Sequence, residues 1–360
     1  MKPGRIRELD GWRGVSILLV LMQHMALFAF PVSAKGTLGF WVHREIFVAG
    51  GLGVFIFFCI SGFVITRLLI LEEAERGSVS LKGFYTRRFL RIIPVFYCFL
   101  ATVLLLSWAG CTPTEFSWAA IAGLFLHDFI PLQHPDWFVG HSWSLSVEEQ
   151  FYLALPPLWV LLSGSKRTKF LFAGLAFMLL WGLIIQWGHL GRILSAGVVL
   201  GFSCISVGAL MAVFEDRLYQ IVVHVHPMAV IAGALLLISP MDKGGIQGSI
   251  YALIGPFAIG LMLMYTMCRP GWPRKVLNWP GLQWIGLISY SLYLWQEIFT
   301  GSFDRYGTQR IAAAFHAGAF LLMIPVAALS FYYIERPCTR MGRRLSDKFS
   351  IRAGSASVNA

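Results

Sequence analysis

The sequence predicts an all-α fold: a polytopic transmembrane helix bundle of about ten spans plus one short re-entrant or interfacial helix, N-in and C-in. Three observations carry that prediction. Of the 360 residues, 57% are apolar or aromatic and 13% are charged, about half the charged share of a soluble domain. Mean hydropathy is +0.68. Apolar runs recur along the whole chain, and basic residues concentrate on alternate connections between them. At roughly 20 residues per crossing, ten spans use about 200 residues and leave no room for a sizeable soluble domain.

The runs follow in order. The first, 12–32, comes after basic residues as a signal peptide would, but no clear small-residue cleavage site follows, so it reads as a mature helix. The second, 46–71, holds Arg67 at its inner end, and the third, 90–109, opens on FYTRRFLRIIP. A shorter run, 117–131, is about one-half to two-thirds of a crossing and reads as re-entrant or interfacial. HSWSLSVEEQFYL (141–153) leads into the fourth span, 147–163. Runs at 170–187, 193–213, 222–240 and 248–268 rest on apolarity alone. The ninth, 281–300, contains ISYSLYLWQ, and the tenth is 311–334. Residues 1–345 form one membrane domain, and 346–360 are expected to be a disordered cytoplasmic tail.

Net charge is +11, from 29 Lys+Arg against 18 Asp+Glu. In a soluble protein that balance would point to nucleic acid. Here only Lys35, Arg44, Arg192, Lys243, Arg305 and Arg310 fall on outer segments. Arg13 and Arg67 lie within spans, and the rest are inner, which sets the orientation and removes the need for a nucleic-acid partner. The six cysteines show no CxxC spacing, so neither a disulfide framework nor a metal site is read. The outer stretch 110–146 has no Lys or Arg and carries Glu115, Asp128, Asp136, His127, His134 and His141 with Trp118, Trp137 and Trp143. Such a loop suits sugar hydroxyls and ring faces; an interfacial aromatic belt has the same composition.

Polar groups inside spans are costly and so are functional candidates. Arg13 and His24 are eleven residues apart, which on a helix is about 20° around the axis and about 16.5 Å along it. One face therefore carries a guanidinium at the inner mouth and an imidazole near mid-membrane. Alone, Arg13 reads equally as a snorkelling anchor and His24 as a structural residue. Together they suit a long anionic donor, its phosphates held by arginine and its reactive end beside a base that titrates near neutrality. An acyl-CoA has that shape. Arg87, Arg88 and Arg91 stand at the inner boundary of the third span, where they can grip phosphate or simply anchor the helix. Ser146 and Glu149 have capping-box spacing, so Glu149 reads as a helix cap. Glu148 has no such role and is a candidate to orient an acceptor or His24. Ser289 to Tyr293 reach about the depth of His24, so Ser289, Tyr290 and Tyr293, with Trp143 above, are candidate substrate contacts; interhelical hydrogen bonding is the alternative.

LDGWRG with His24, GVFIFFCISGFVITR (53–67), RRFLRIIP (87–94), WSLSVEEQFY (143–152), ISYSLYLW (288–295) and IERP (334–337) occur in this order over almost the whole chain. Together they resemble the acyltransferase-3 family of membrane acyltransferases. The resemblance implies a bundle of about ten helices moving an acyl group, often acetyl, from acyl-CoA to a hydroxyl, mainly on carbohydrates. It assigns the essential Arg-x10-His pair to Arg13 and His24 and the arginines of the third span to Arg87, Arg88 and Arg91. Many members continue YLW with His; Gln296 stands there instead, so an imidazole relay through that position is in doubt. The sequence ends soon after IERP, so transfer is expected to finish within the membrane domain.

The expectation is an acyl-CoA-dependent O-acyltransferase of the bacterial cytoplasmic membrane, using acetyl-CoA, requiring no metal, and acting on a carbohydrate or glycolipid acceptor such as an exopolysaccharide unit. His24, Arg13 and Glu148 are its candidate catalytic residues. Arg13, Arg87, Arg88 and Arg91 would hold the donor. The alternative is a transporter or flippase of an anionic lipid-linked sugar.

Overall fold

A computed structural model of the chain describes residues 4–29, 38–129, 136–187, 195–238, 246–300 and 319–358. The connections among which Lys35, His134, Arg192, Lys243, Arg305 and Arg310 fall, and the first part of the tenth expected span, lie outside those residues. The described residues are helical, with no strand among them. Helices α1 (Arg7–Ala29), α2 (Leu38–Arg76) and α3 (Leu81–Trp108) come first. The short α4 (Phe116–Gly123), a 3-10 turn (His127–Phe129) and α5 (Trp137–Gly140) follow. Then come α6 (Ser142–Leu161), α7 (Ser165–Trp187), α8 (Ala196–Val213), α9 (Glu215–Val222), α10 (Pro227–Ile238) and α11 (Ile246–Cys268). The remainder are α12 (Trp272–Leu277), α13 (Pro280–Leu287), α14 (Ser289–Phe299), α15 (Ala319–Ser330), a π-helical turn (Phe331–Glu335) and α16 (Arg336–Val358).

Five of the described helices contain a segment long and apolar enough to cross a membrane: Ala49–Arg76, Leu81–Trp108, Ser165–Ile185, Ala196–Val213 and Gly248–Cys268. α6, which carries Glu148, Glu149 and Gln150, is not one of them. Two expected spans are broken. In place of a single run over 222–240, α9 meets α10 at 110°. Pro227 opens α10 and biases His226 away from the helical region. Residues 280–299 form α13 and α14, separated at Ile288. At the end of the chain, α16 continues as helix to Val358, through the segment read as a tail from 346. It packs on α3: Gly342 lies against Leu90 and Arg87, Ser346 accepts from Arg87, and Lys82 sits 4.2 Å over the Phe349 ring.

Small residues bring the central helices together, as membrane bundles require. A side chain at Gly62 of α2 would collide with the Ile205 carbonyl of α8, and one at Gly208 with the Cys59 carbonyl. The LDGWRG segment works in the same way on α1. A Cβ at Gly11 would meet the Leu277 carbonyl, and one at Gly286 of α13 the Asp10 carbonyl. Trp12 donates to Thr266 of α11 at 2.8 Å, and Glu8 pairs with Arg274 at 2.6 Å. These contacts seat α1 against α11 to α13 and leave Arg13 facing the interior between α3, α6 and the π turn. Arg67 of α2 is paired with Glu215 of α9 at 2.8 Å.

Candidate active site

Two linked polar clusters lie inside the bundle. The first surrounds His24. Its Nδ1 is 3.1 Å from Oε1 of Gln296, and its Nε2 is 3.9 Å from Oε1 of Glu297. The ring lies edge-on to Trp137, centroids 5.4 Å apart. Glu297 is buried and accepts from Nδ1 of His141 at 2.6 Å with its other oxygen. Trp137 donates to the Glu297 carbonyl at 3.0 Å. Tyr293 donates to the His141 carbonyl at 2.9 Å, meets Ser144 Oγ at 2.5 Å, and lies 5.2 Å from the His141 ring. α1, α5 and α14 thus meet at one imidazole, and the start of α6 braces Tyr293 of α14.

The second cluster shares α1, α6 and α14 with the first and adds α2, α3 and the π turn. Arg13 is half-buried and interacts electrostatically with Arg91, Asp10, Glu335 and Glu148. Glu148 accepts from Ser61 at 2.6 Å and from Tyr152 at 3.3 Å. Glu335, buried in the π turn, accepts from Ser291 at 2.9 Å and interacts with Arg91 and Arg13. Arg88 lies over the rings of Tyr152 and Phe84, 5.2 and 5.8 Å away, beside Glu149. Arg13 and Arg91 repel one another but both interact with Glu148 and Glu335, and Arg13, Arg88, Arg91, Glu148 and Glu149 are all only partly buried. Cations partly accessible inside a bundle can take an anionic group without dragging it through lipid.

Some expected site residues stand elsewhere. Arg87 pairs with Glu72 at 2.6 Å and donates to Ser346, so it ties α3 to α2 and α16. Trp143 packs on Phe58, with ring centroids 5.9 Å apart, and against Gly197, which turns it toward α2 and α8. Tyr290 donates to the Ile92 carbonyl at 3.0 Å, and Ser289 is buried with its hydroxyl unpartnered. His24 meets α14 about one turn beyond Tyr293, at Gln296 and Glu297. The capping box does not form. α6 starts at Ser142, so Ser146 is already helical and donates to the Ser142 carbonyl, and Glu149 stands within the helix with one oxygen buried and unpartnered.

Glu297, His141 and Glu335 are functional candidates that motif spacing passed over. An acid next to the LYLWQ motif and an acid closing a span at IERP were the available signals. The segment above the site is polar as well. His127 meets Ser142 at 2.6 Å, and burial, reinforced by nearby His141, pulls its imidazole below the usual range. Burial pushes the Asp136 carboxyl up, against hydrogen bonds from Thr114 and the Phe138 backbone.

A family model described as an acyltransferase domain (Acyl_transf_3) matches residues 6–335. The chain is 27% identical over 372 residues to the peptidoglycan O-acetyltransferase OatA of Listeria monocytogenes, an alignment covering 94% of this chain and 56% of that protein. To the O-acetyltransferase OatA of Staphylococcus aureus it is 26% identical over 376 residues, covering 94% and 58%. The chain therefore spans a little over half the length of these curated relatives. No solved structure matches.

Proposed function

Because the chain belongs to the acyltransferase family whose domain it matches over residues 6–335, we propose that it is a membrane O-acyltransferase moving acetyl from acetyl-CoA to a hydroxyl of a carbohydrate acceptor, free or lipid-linked. The observation that carries the proposal is the stacking of two clusters on α1: His24 between Gln296 and Glu297, and Arg13 with Arg91 one site below. Arg13, Arg88 and Arg91 hold the phosphates of the donor. His24 takes the proton of the acceptor hydroxyl as its oxygen attacks the thioester carbon. The C–O bond forms, the C–S bond breaks, and His24 returns the proton to the leaving thiolate. An acyl-His intermediate is the variant of this route. Glu148, held by Ser61 and Tyr152, positions Arg13 and Arg91 rather than the acceptor.

We place the protein in a bacterial cytoplasmic membrane with about ten spans and both ends inside, so that the donor enters from the cytosol and the acceptor from the outer side. The relatives' names support O-acetylation and, for the Listeria protein, a peptidoglycan acceptor. They lend nothing to a transporter. The test is purified protein given radiolabelled acetyl-CoA and a soluble glycan acceptor, with no gradient. Transfer or hydrolysis that His24→Ala removes supports the function; binding of acetyl-CoA without turnover refutes it.

A further inference from the structure

Gln296 is 0% exposed and sits within α14. Its Oε1 meets His24 Nδ1 at 3.1 Å, and its Nε2 is buried with no hydrogen-bond partner. An unpaired buried amide donor costs about 1–3 kcal/mol, which an apolar residue of the same size would avoid. The unpaired N–H group lies beside the imidazole on which the proposed transfer turns.

We infer that Gln296 is a catalytic residue of this acyl transfer: Oε1 accepts the His24 Nδ1–H, and Nε2–H donates to the carbonyl oxygen of the acyl donor as that oxygen becomes negative. The inference deepens the function proposed above and rests on it. Fixing the proton on Nδ1 leaves the Nε2 lone pair of His24 as the base, on the side where Glu297 stands 3.9 Å away. As the acceptor oxygen bonds to the acyl carbon, its proton passes to Nε2. The carbonyl electron pair moves onto oxygen and meets the Gln296 N–H. Re-forming the carbonyl expels the CoA thiolate, which takes the proton from His24. A donor unpaired at rest and paired only when charge develops strengthens the transition state over the ground state. One side chain thereby serves the base and the oxyanion.

The test compares wild type, Gln296→Glu and Gln296→His in acetyl-CoA turnover. Glutamate keeps the size and the acceptor toward His24 but removes the donor. Because it also favours protonated His24, kcat is compared on the high-pH plateau. Losing one oxyanion donor predicts a plateau kcat about 100- to 1,000-fold lower, with KM for acetyl-CoA within about threefold. Histidine accepts from His24 through one ring nitrogen and donates through the other, so it retains about a tenth or more of the wild-type rate. A plateau loss smaller than about thirtyfold in Gln296→Glu overturns the inference, as does a folded Gln296→His below about a tenth of wild type. Should the glutamate variant fail to insert, the histidine variant decides. Wild-type protein that turns over no acetyl-CoA overturns the underlying function instead.

Discussion

Glu297 accepts a hydrogen bond from Nδ1 of His141 at 2.6 Å. Its second oxygen faces Nε2 of His24 at 3.9 Å. The carboxylate therefore stands where positive charge appears when His24 takes a proton, and His141 fixes its orientation. Glu297→Gln keeps the shape and removes the charge. A charge-assisted contact is worth about 1.5–3 kcal/mol, so kcat should fall roughly ten- to hundredfold with KM for both substrates nearly unchanged. Steady-state kinetics check this; a change confined to KM would assign Glu297 to binding.

His24→Ala removes the base and leaves Trp137 and Glu297, its two neighbours, unchanged in kind. Acyl transfer should drop by about 10²- to 10⁴-fold. Thermal unfolding in detergent, followed beside turnover, separates lost chemistry from lost folding. Wild-type transfer by a folded His24→Ala would refute the mechanism.

The arginines should sort into two groups. Arg91 faces Arg13, Glu148 and Glu335 in the interior, whereas Arg87 is tied to Glu72 and Ser346. Arg91→Ala should raise KM for acetyl-CoA about tenfold or more, the cost of a charge-assisted phosphate contact. Arg87→Ala should act first on stability, lowering Tm by loosening α3 from α16, with a smaller rise in KM. Equal KM effects would place Arg87 on the donor as well.

Packing of α2 on α8 depends on the absence of side chains at Gly62 and Gly208. Leucine at either position meets backbone, which cannot yield as a side chain can. Gly62→Leu or Gly208→Leu should cost about 3 kcal/mol or more, or prevent folding. Gly174→Leu, where a Cβ meets nothing within 4 Å, is the control and should leave Tm nearly unchanged. Fluorescence size-exclusion and thermal melts report both.

Much was legible in local sequence. Hydropathy located the middles of the long helices because burial in lipid selects apolar side chains along a continuous run, while α2 and α3 begin at Leu38 and Leu81, well before the runs expected from 46 and 90. Arg13 and His24 share a face because helical period alone requires it. The misreadings have equally local causes. Ser146 and Glu149 satisfy the capping-box spacing anywhere on a helix, and only the true start at Ser142 shows that no cap is needed there. The 222–240 run is apolar enough for one span, yet Pro227 opens a separate helix.

By itself the sequence determined an all-helical chain, its acyltransferase family, and the alignment of one guanidinium with one imidazole along α1. Tertiary structure decided what that imidazole touches: Gln296 and Glu297, more than 270 residues away, with His141 behind them. It also separated Arg91 from Arg87, four residues apart on one helix. Periodicity states which residues share a face. It does not say which other face will be brought against them, because that depends on how closely glycine-lined helices approach across the bundle.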